Sequence, residues 1–310
     1  MQRWRGLDAA PPGWGRCVVT IGVFDGVHRG HQAIIGEAVA RGRAAGVPSV
    51  VLTFDPHPSE VVRPGTHPPV LTSPRYKAAL IEDVGADVLC VLGFTPEFSR
   101  LTPAEFAHVV LVEHLHAVAA VVGENFRFGH KAAGDVAELA RIGERFGFAA
   151  TGVPLVRDGE TTISSTYVRA CVDAGDVAAA TRALGREHRV EGVVVRGDAR
   201  GRTLGYPTAN LRTPPHTAVP ADGVYAAWLV RGGARLPAAV SIGTNPTFEG
   251  RERRVEAYVL DFAEDIYGDS VALDFVALLR AADTMTFDSV DALVAQIGRD
   301  VANVRELLAP

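Results

Sequence analysis

Lysine is nearly missing from this chain. Among 31 basic residues in 310, Lys77 and Lys131 are the two lysines and the others are arginine. Neither lies in a GxxxxGK[ST] string, so a P-loop phosphate site is excluded and any ATP chemistry must use other groups. Cysteine is as scarce. Cys17, Cys90 and Cys171 are too few and too scattered for a disulfide framework or a CxxC metal site, and each falls in an apolar stretch typical of a buried thiol. No apolar run approaches the roughly 20 residues that a membrane-spanning helix needs, so no membrane is expected as a partner. The opening MQRWRGLDAAPPGWGR also lacks the apolar stretch of a secretory signal, which predicts a cytoplasmic protein. Nor is there an excess of positive charge. The net charge is −5, with both halves mildly acidic, which argues against a nucleic-acid footprint and leaves small molecules as the expected partners.

Hydrophobic residues make up 47% and charged residues 22% of the sequence, as in ordinary globular chains. At roughly 150 residues per domain, the length suggests about two domains. From residue 17 to about 155, short apolar β-rich runs alternate with helical patterns. The predicted strands are Val18 to Val23, Val50 to Phe54, Val88 to Leu92, Ala119 to Val122 and Phe148 to Val153. That order predicts an α/β domain with a doubly wound parallel sheet, whose ligands bind outside the carboxyl ends of the strands. A helical pattern from Ser165 to Leu184 is expected to close this half, giving domains 1–185 and 186–310. From Val190 to Val276, short strands separated by Gly, Pro and Asn turns predict a small antiparallel β-barrel, and Ser289 to Leu308 has the spacing of one amphipathic helix. No motif argues for self-association beyond a monomer or a weak homo-oligomer.

The first cluster of chemistry-bearing residues is GVFDGVHRGH, residues 22 to 31. It follows a strand and opens a helix, where free N–H groups and the positive end of the helix dipole suit a phosphate. Gly22, Gly26 and Gly30 permit close backbone approach, and His28 and His31 can donate to phosphate oxygens. A zinc pair is the competing interpretation, but HxxH alone lacks the third protein ligand that zinc requires. TFDPHP (53 to 58) holds His57 between two prolines just past the second strand. GENFRFG (123 to 129) presents Asn125 and Arg127 after the fourth, with Phe126 and Phe128 expected to pack rather than to stack on a ligand. ISSTYVR (163 to 169) offers Ser164, Ser165 and Thr166 at a helix start with Arg169 one turn on, either a capping sequence or a second phosphate grip.

The barrel half has its own cluster, GDARGRTLGYPTANL, residues 197 to 211. Gly197, Gly201 and Gly205 suit a mobile loop charged by Arg200 and Arg202. Thr208 and Asn210, two residues apart on an extended strand, project to one side and suit one hard cation, with Mg²⁺ on ATP phosphates the natural occupant. A glycine- and arginine-rich surface loop is the plainer alternative. SIGTNPTF (241 to 248) adds Asn245 and Thr247 as ligands or turn formers, and in RRVEAYVLDF (253 to 262) Glu256 shares a strand face with Tyr258.

Together these strings resemble a known family. GVFDGVHRGH is similar to the HxGH signature of nucleotidyltransferases, and TFDPHP, GENFRFG and SSTYVR resemble, in that order, the adenylyltransferase domain of the bacterial bifunctional riboflavin kinase/FAD synthetases. RGRTLGYPTANL, SIGTNPTF, VEAYVLDF and IYG resemble the riboflavin kinase part of the same family. The resemblance implies two activities: phosphorylation of riboflavin by ATP to give FMN, and attack of the FMN phosphate on the α-phosphate of ATP to give FAD and pyrophosphate. It implies a six-stranded flavokinase barrel, His28 and His31 as catalytic groups, and Gly22, Phe24, Asp25, Gly30, His57, Asn125, Arg127, Ser164, Ser165, Thr166 and Arg169 around the substrates of the first site. In the second it implies Gly197, Arg200, Arg202, Thr208 and Asn210 on Mg²⁺-ATP and Glu256 deprotonating the ribityl 5′-hydroxyl. One departure is LLRAADTMTF (278 to 287), where Thr286 stands in place of the family's lysine before the phenylalanine. Two other readings fit the residues: a nucleotidyltransferase for another phosphorylated acceptor with a regulatory flavin-binding barrel, and a non-catalytic flavin or nucleotide binder.

Overall fold

The computed structural model describes residues 1–11, 13–197, 201, 204–247, 250–281 and 288–309. Arg200, Arg202, Thr286 and the end of the 278–287 segment lie outside these residues. The chain divides into two compact units, one of residues 1–68 and 74–164, the other of residues 69–73 and 165–310.

The first unit is built on a parallel sheet of six strands. These are β1 (Gln2–Arg5), β2 (Cys17–Ile21), β3 (Ser49–Asp55), β4 (Val88–Gly93), β5 (Ala117–Gly123) and β6 (Ala149–Val153), in the order β1-β4-β3-β2-β5-β6. The apolar runs become its central strands because a sheet covered on both faces rewards unbroken hydrophobic sequence, and all five residues of β2 are buried. Helix α1 (Arg29–Ala45) follows β2 and ends at Gly46, whose φ of 65° closes it in the left-handed conformation. Helices α2 (Pro58–Val62), α3 (Pro74–Asp83), α4 (Pro103–Phe106) and α5 (Val136–Phe146) complete the connections, with a π-helical stretch at Ala107–His114 running on from α4. The chain winds from β2 outward through β3 to β4, then returns to lay β5 on the other side of β2. The switch point therefore lies between β2 and β5, the place where doubly wound sheets open a crevice for ligand.

Strand β1 lies in the opening segment, ahead of the first strand that the sequence predicted. It pairs in parallel with β4, and its Trp4, 4% exposed, packs edge-on against Trp14 with ring centroids 4.4 Å apart. Four residues carrying two arginines give no apolar run, and an edge strand needs only one buried anchor.

In the second unit, six antiparallel strands close into a barrel. They are β9 (His188–Val195), β10 (Ala209–Arg212), β11 (Gly223–Arg231), β12 (Ala234–Thr247), β13 (Gly250–Val259) and β14 (Ser270–Ala281), in the order β10-β13-β12-β11-β14-β9, with β9 pairing back on β10. A two-stranded ribbon of β7 (Arg157–Asp158) and β8 (Thr161–Thr162) precedes it in the chain and belongs to the first unit. Tyr225, Leu229, Ile242, Leu273 and Phe275 fill the barrel, and the Tyr225 hydroxyl donates to the Ala221 carbonyl at 2.7 Å, so the ring is buried with its polar tip satisfied. Asn245 and Thr247, expected as ligands or turn formers, fall within β12, whose backbone continues as strand through both.

The Ser165 to Leu184 pattern forms two helices, α6 (Ser165–Asp173) and α7 (Val177–Leu184), split where Asp176 caps α7 by accepting from the Ala179 N–H at 2.8 Å. Both cluster with the barrel, α7 packing on β14 and β9. The last helix, Val290–Leu307, is capped by Ser289 and buries Val304 against Ala226 and Leu260, while Val290 at its start is exposed. Arg280 of β14 and Asp300 of this helix form an ion pair at 3.0 Å that fastens helix to barrel.

Candidate active sites

At the switch point of the first unit, the loop from Gly22 to His28 turns the chain from β2 into α1. Phe24 (φ 53°), Gly26 (φ 83°) and Val27 (φ 38°) all take positive φ, a conformation that side chains bearing a Cβ resist, so the loop is held rather than relaxed. At two further points glycine leaves room for a close-packed ring. A Cβ on Gly22 would stand 3.0 Å from the Phe24 ring, and one on Gly30 would stand 3.1 Å from the His28 ring. Phe24 and Asp25 are both buried, so what the loop offers a phosphate from these two positions is backbone.

His28, 5% exposed, is the N-cap of α1: its Nδ1 accepts from the His31 N–H at 3.3 Å. A neutral imidazole accepting at Nδ1 carries its proton on Nε2, which makes that nitrogen a donor. The His31 ring stacks on that of His28 with centroids 3.6 Å apart, and the Phe24 ring meets His31 edge-on. Two imidazoles are thus stacked at the N-terminus of α1, an arrangement that the sequence did not announce.

Asn125 lies past the end of β5, its Oδ1 3.1 Å from where a Gly123 Cβ would stand. The same Cβ would come 3.3 Å from Ile34 of α1, so Gly123 lets Asn125 approach that helix. Arg127 pairs with Asp135 at 3.5 Å, both exposed. His57 caps α2, its Nδ1 accepting from the Ser59 N–H at 3.1 Å and lying 2.6 Å from the Ser59 hydroxyl. This gives His57 a structural employment that the flanking prolines did not signal. Ser164 ends the first unit, next to Ile163, whose carbonyl would lie 3.6 Å from a Gly30 Cβ. Ser165, Thr166 and Arg169 belong to the second unit on α6, where Arg169 Nε donates to the Pro69 carbonyl at 2.6 Å.

A cavity of about 840 Å³ opens at the carboxyl ends of β2 to β5. Phe54, Phe94, Phe98, Phe106, Phe126 and Phe128 line it, while Arg63, Arg100, Arg127, His130 and Lys131 add positive or protonatable groups. The expectation that Phe126 and Phe128 only pack is half met. Phe128 is buried in the core and stacks on Phe126 at 5.4 Å, yet both also form cavity wall. Sequence spacing could not reveal this, because the six rings come from four separate segments.

The second unit gathers the other set. Register places Asn210 of β10 directly opposite Glu256 of β13, and the Thr208 hydroxyl donates to Glu256 Oε2 at 3.3 Å. On β13, Val255, Ala257 and Val259 point into the barrel, so half-buried Glu256 and Tyr258 share the outer face. A Cβ on Gly197 would collide with the Asn210 amide, which explains the glycine there. Beside this cluster, Pro207, Thr208, Ala257, Val259, Phe262 and Tyr267 line a pocket of about 320 Å³, with the Arg196 guanidinium 5.5 Å from the Tyr267 ring centroid. Two neutral oxygen donors beside a carboxylate suit magnesium, which takes one or two protein ligands and otherwise keeps water and phosphate oxygens. Among the described residues no group of three His, Cys, Asp or Glu side chains forms a metal site of its own.

The chain thus joins a doubly wound unit with stacked histidines at its switch point to a closed barrel that gathers a hydroxyl, an amide and a carboxylate, and its class is that of a phosphate-transferring enzyme. The family models give its kind: FAD synthetase matches residues 11–167 and riboflavin kinase matches residues 184–308. The chain belongs to the bifunctional riboflavin kinase/FMN adenylyltransferases. It is 38% identical to the Pseudomonas fluorescens member over 100% of this chain and 99% of the relative, and 37% identical to that of Escherichia coli K12 over 94% and 92%. A crystal structure from Streptococcus pneumoniae, described as a macrolide-efflux protein, superposes with a TM-score of 0.89 at 33% identity, covering 98% of this chain and 99% of that one. Among the described residues of the present chain, no helix is long and apolar enough to cross a membrane. The protein phosphorylates riboflavin to FMN and adenylylates FMN to FAD.

Proposed function

We propose that the two reactions are divided between two sites, with residues 1–185 serving FMN adenylylation and residues 186–310 serving riboflavin phosphorylation. What carries this reading is that the two sets of chemistry-bearing side chains fall in different compact units: His28 with His31 in one, Thr208, Asn210 and Glu256 in the other.

In the barrel, Glu256 takes the proton of the ribityl 5′-hydroxyl as that oxygen attacks the γ-phosphate of ATP. A carboxylate within reach of the substrate hydroxyl serves this purpose at neutral pH, and its hydrogen bond from Thr208 holds it in place. Thr208 and Asn210 would hold magnesium, which when bound neutralises charge on the ATP phosphates. Gly197 and the arginines at 200 and 202 complete the phosphate loop.

At the switch point, the FMN phosphate attacks the α-phosphate of a second ATP and pyrophosphate leaves. No side-chain nucleophile is required, because such transfers are driven by positioning and charge stabilisation. His28 Nε2–H and His31 donate to the phosphate oxygens on which charge builds, and backbone N–H groups of the loop and of the first turn of α1 hold the rest of the triphosphate. Asn125, Arg127 and Ser164, all of the first unit, complete the grip on triphosphate and acceptor. The aromatic cavity suits the isoalloxazine ring, with the arginines toward the ribityl phosphate. The protein works in the cytoplasm as a monomer or weak homo-oligomer on free small molecules, without nucleic acid.

Chromatography of products tests the division. Purified protein is incubated with riboflavin, ATP and Mg²⁺, and separately with FMN in place of riboflavin. FMN with FAD from the first mixture and FAD from the second is the expected result. In folded single variants, loss of both activities together would overturn the two-site assignment.

A further inference from the structure

Beneath the 22–28 loop lies a charged group that none of the roles above uses. Lys77 stands in the first turn of α3, and its Nζ lies 3.2 Å from the Val23 carbonyl oxygen and 3.5 Å from Thr53 Oγ1. Thr53, fully buried on β3, donates its own hydroxyl to the same Val23 oxygen at 3.0 Å. One backbone carbonyl therefore receives two side-chain donors, one of them cationic. Burial pushes the Lys77 pKa down, while the carboxylates of Asp25 and Asp55 act against that shift and favour the charged form.

Drawing an ammonium partly out of water is unfavourable unless its surroundings offset the lost hydration. At this position the ammonium has two things to hold. The first is the Val23–Phe24 peptide. In a trans peptide the C=O and N–H point in opposite directions, so donors drawn onto the Val23 oxygen from below turn the Phe24 N–H toward the other face of the loop. The second is Asp25, 6% exposed, whose carboxylate interacts with the Lys77 charge. Phe24 and Val27, with φ of 53° and 38°, occupy conformations that a Cβ resists and that persist only where the surroundings enforce them. Lys77 and Thr53 grip this loop at the residue just before the first of the two.

We propose that Lys77 is a positioning residue for adenylyl transfer: from beneath the loop it fixes the Val23–Phe24 peptide and so keeps the amides of the 22–28 loop aimed at the ATP phosphates. The inference rests on the reading of that loop as the triphosphate seat. Lys77 touches no reacting atom and acts through the loop, and a displacement of reacting groups by about 1 Å can cost about 100-fold in rate.

The test uses the full chain with Lys77→Met, which keeps most of the aliphatic stem and removes charge and donor, alongside Lys77→Arg. In Lys77→Met, kcat/KM for ATP in FAD formation should fall at least about tenfold. The KM for FMN and riboflavin phosphorylation should each stay within about twofold, with melting unchanged, and Lys77→Arg should recover part of the loss. Thr53→Val, which removes the other donor on the Val23 oxygen, should shift the same parameter in the same direction by less. FAD formation within twofold of the parent in Lys77→Met overturns the proposal. So does a loss that comes with a fall in riboflavin phosphorylation or melting temperature and that Lys77→Arg does not recover, since that is the mark of a structural role. The underlying reading fails separately: if folded His28→Ala makes FAD normally, the loop is not the triphosphate seat, whatever Lys77→Met does.

Discussion

The Thr208 hydroxyl reaches Glu256 across two antiparallel strands at 3.3 Å, in a register that sets Asn210 opposite the same carboxylate. Glu256→Gln keeps the shape of that contact and removes the base. Riboflavin phosphorylation should fall about 100-fold or more, the lower range for general-base catalysis, and Asn210→Ala should fall with it. FAD formation from supplied FMN should be unchanged in both, as product chromatography would register.

His28 caps α1, and the proposed mechanism gives it a second task as a donor to the phosphate oxygens. His28→Asn separates them, because asparagine caps a helix as well as any residue and so preserves the roughly 1 kcal/mol a cap is worth, yet carries no imidazole. The variant should melt like the parent while FAD formation drops about 100-fold or more, the loss typical of a removed charge-stabilising donor. Riboflavin phosphorylation serves as the internal control.

Val62 lines the aromatic cavity while being 59% exposed, so it can be changed without disturbing the core. Val62→Asp should raise the KM for FMN in FAD formation several-fold and leave the KM for riboflavin in the kinase reaction where it was. Steady-state kinetics with each flavin would show a rise in both if the two reactions shared one flavin pocket.

Much of this architecture was legible because it is written in local signals. The five apolar runs became β2 to β6 within a few residues, and Ser289 and His28 capped helices where the pattern changed. What escaped was whatever depends on partners distant in sequence. Strand β1 needed β4 to exist, and no four-residue segment with two arginines announces that. The cavity needed rings from four segments. The allegiance of α6 and α7 to the barrel turns on which apolar face meets which, and the sequence shows the faces without their partners. Lys77 was visible as a rarity but not as a loop anchor, since its contacts are with Val23 and Thr53, far from it in sequence. At the barrel site the spacing of Thr208 and Asn210 was visible in the sequence, while the approach of Glu256 to both came from the pairing of β10 with β13.

Burial pushes the thiols of Cys17 and Cys90 up to about 12, and raises that of Cys171. The folded state therefore favours the neutral thiol over the thiolate. That contribution to stability is complete below the unfolded pKa near 9 and is lost as pH rises from there through about 12. Melting temperature should hold to about pH 9 and decline above it. At pH 8, iodoacetamide should leave Cys17 and Cys90 unmodified in the native protein and alkylate all three cysteines in guanidinium, which mass spectrometry would resolve by peptide.

Of the two lysines, Lys77 is half-buried with its ammonium on the Val23 carbonyl, and Lys131 is exposed on the wall of the aromatic cavity. A chain so poor in primary amines gives an amine-reactive dye few places to go, and one of them is this rim. A fluorophore attached there would stand beside whatever fills the cavity, and because the isoalloxazine ring absorbs blue light, a blue-emitting label would dim as flavin arrives. The near-absence of one amino acid thus leaves the protein with a natural attachment point from which occupancy of a single site can be watched in real time.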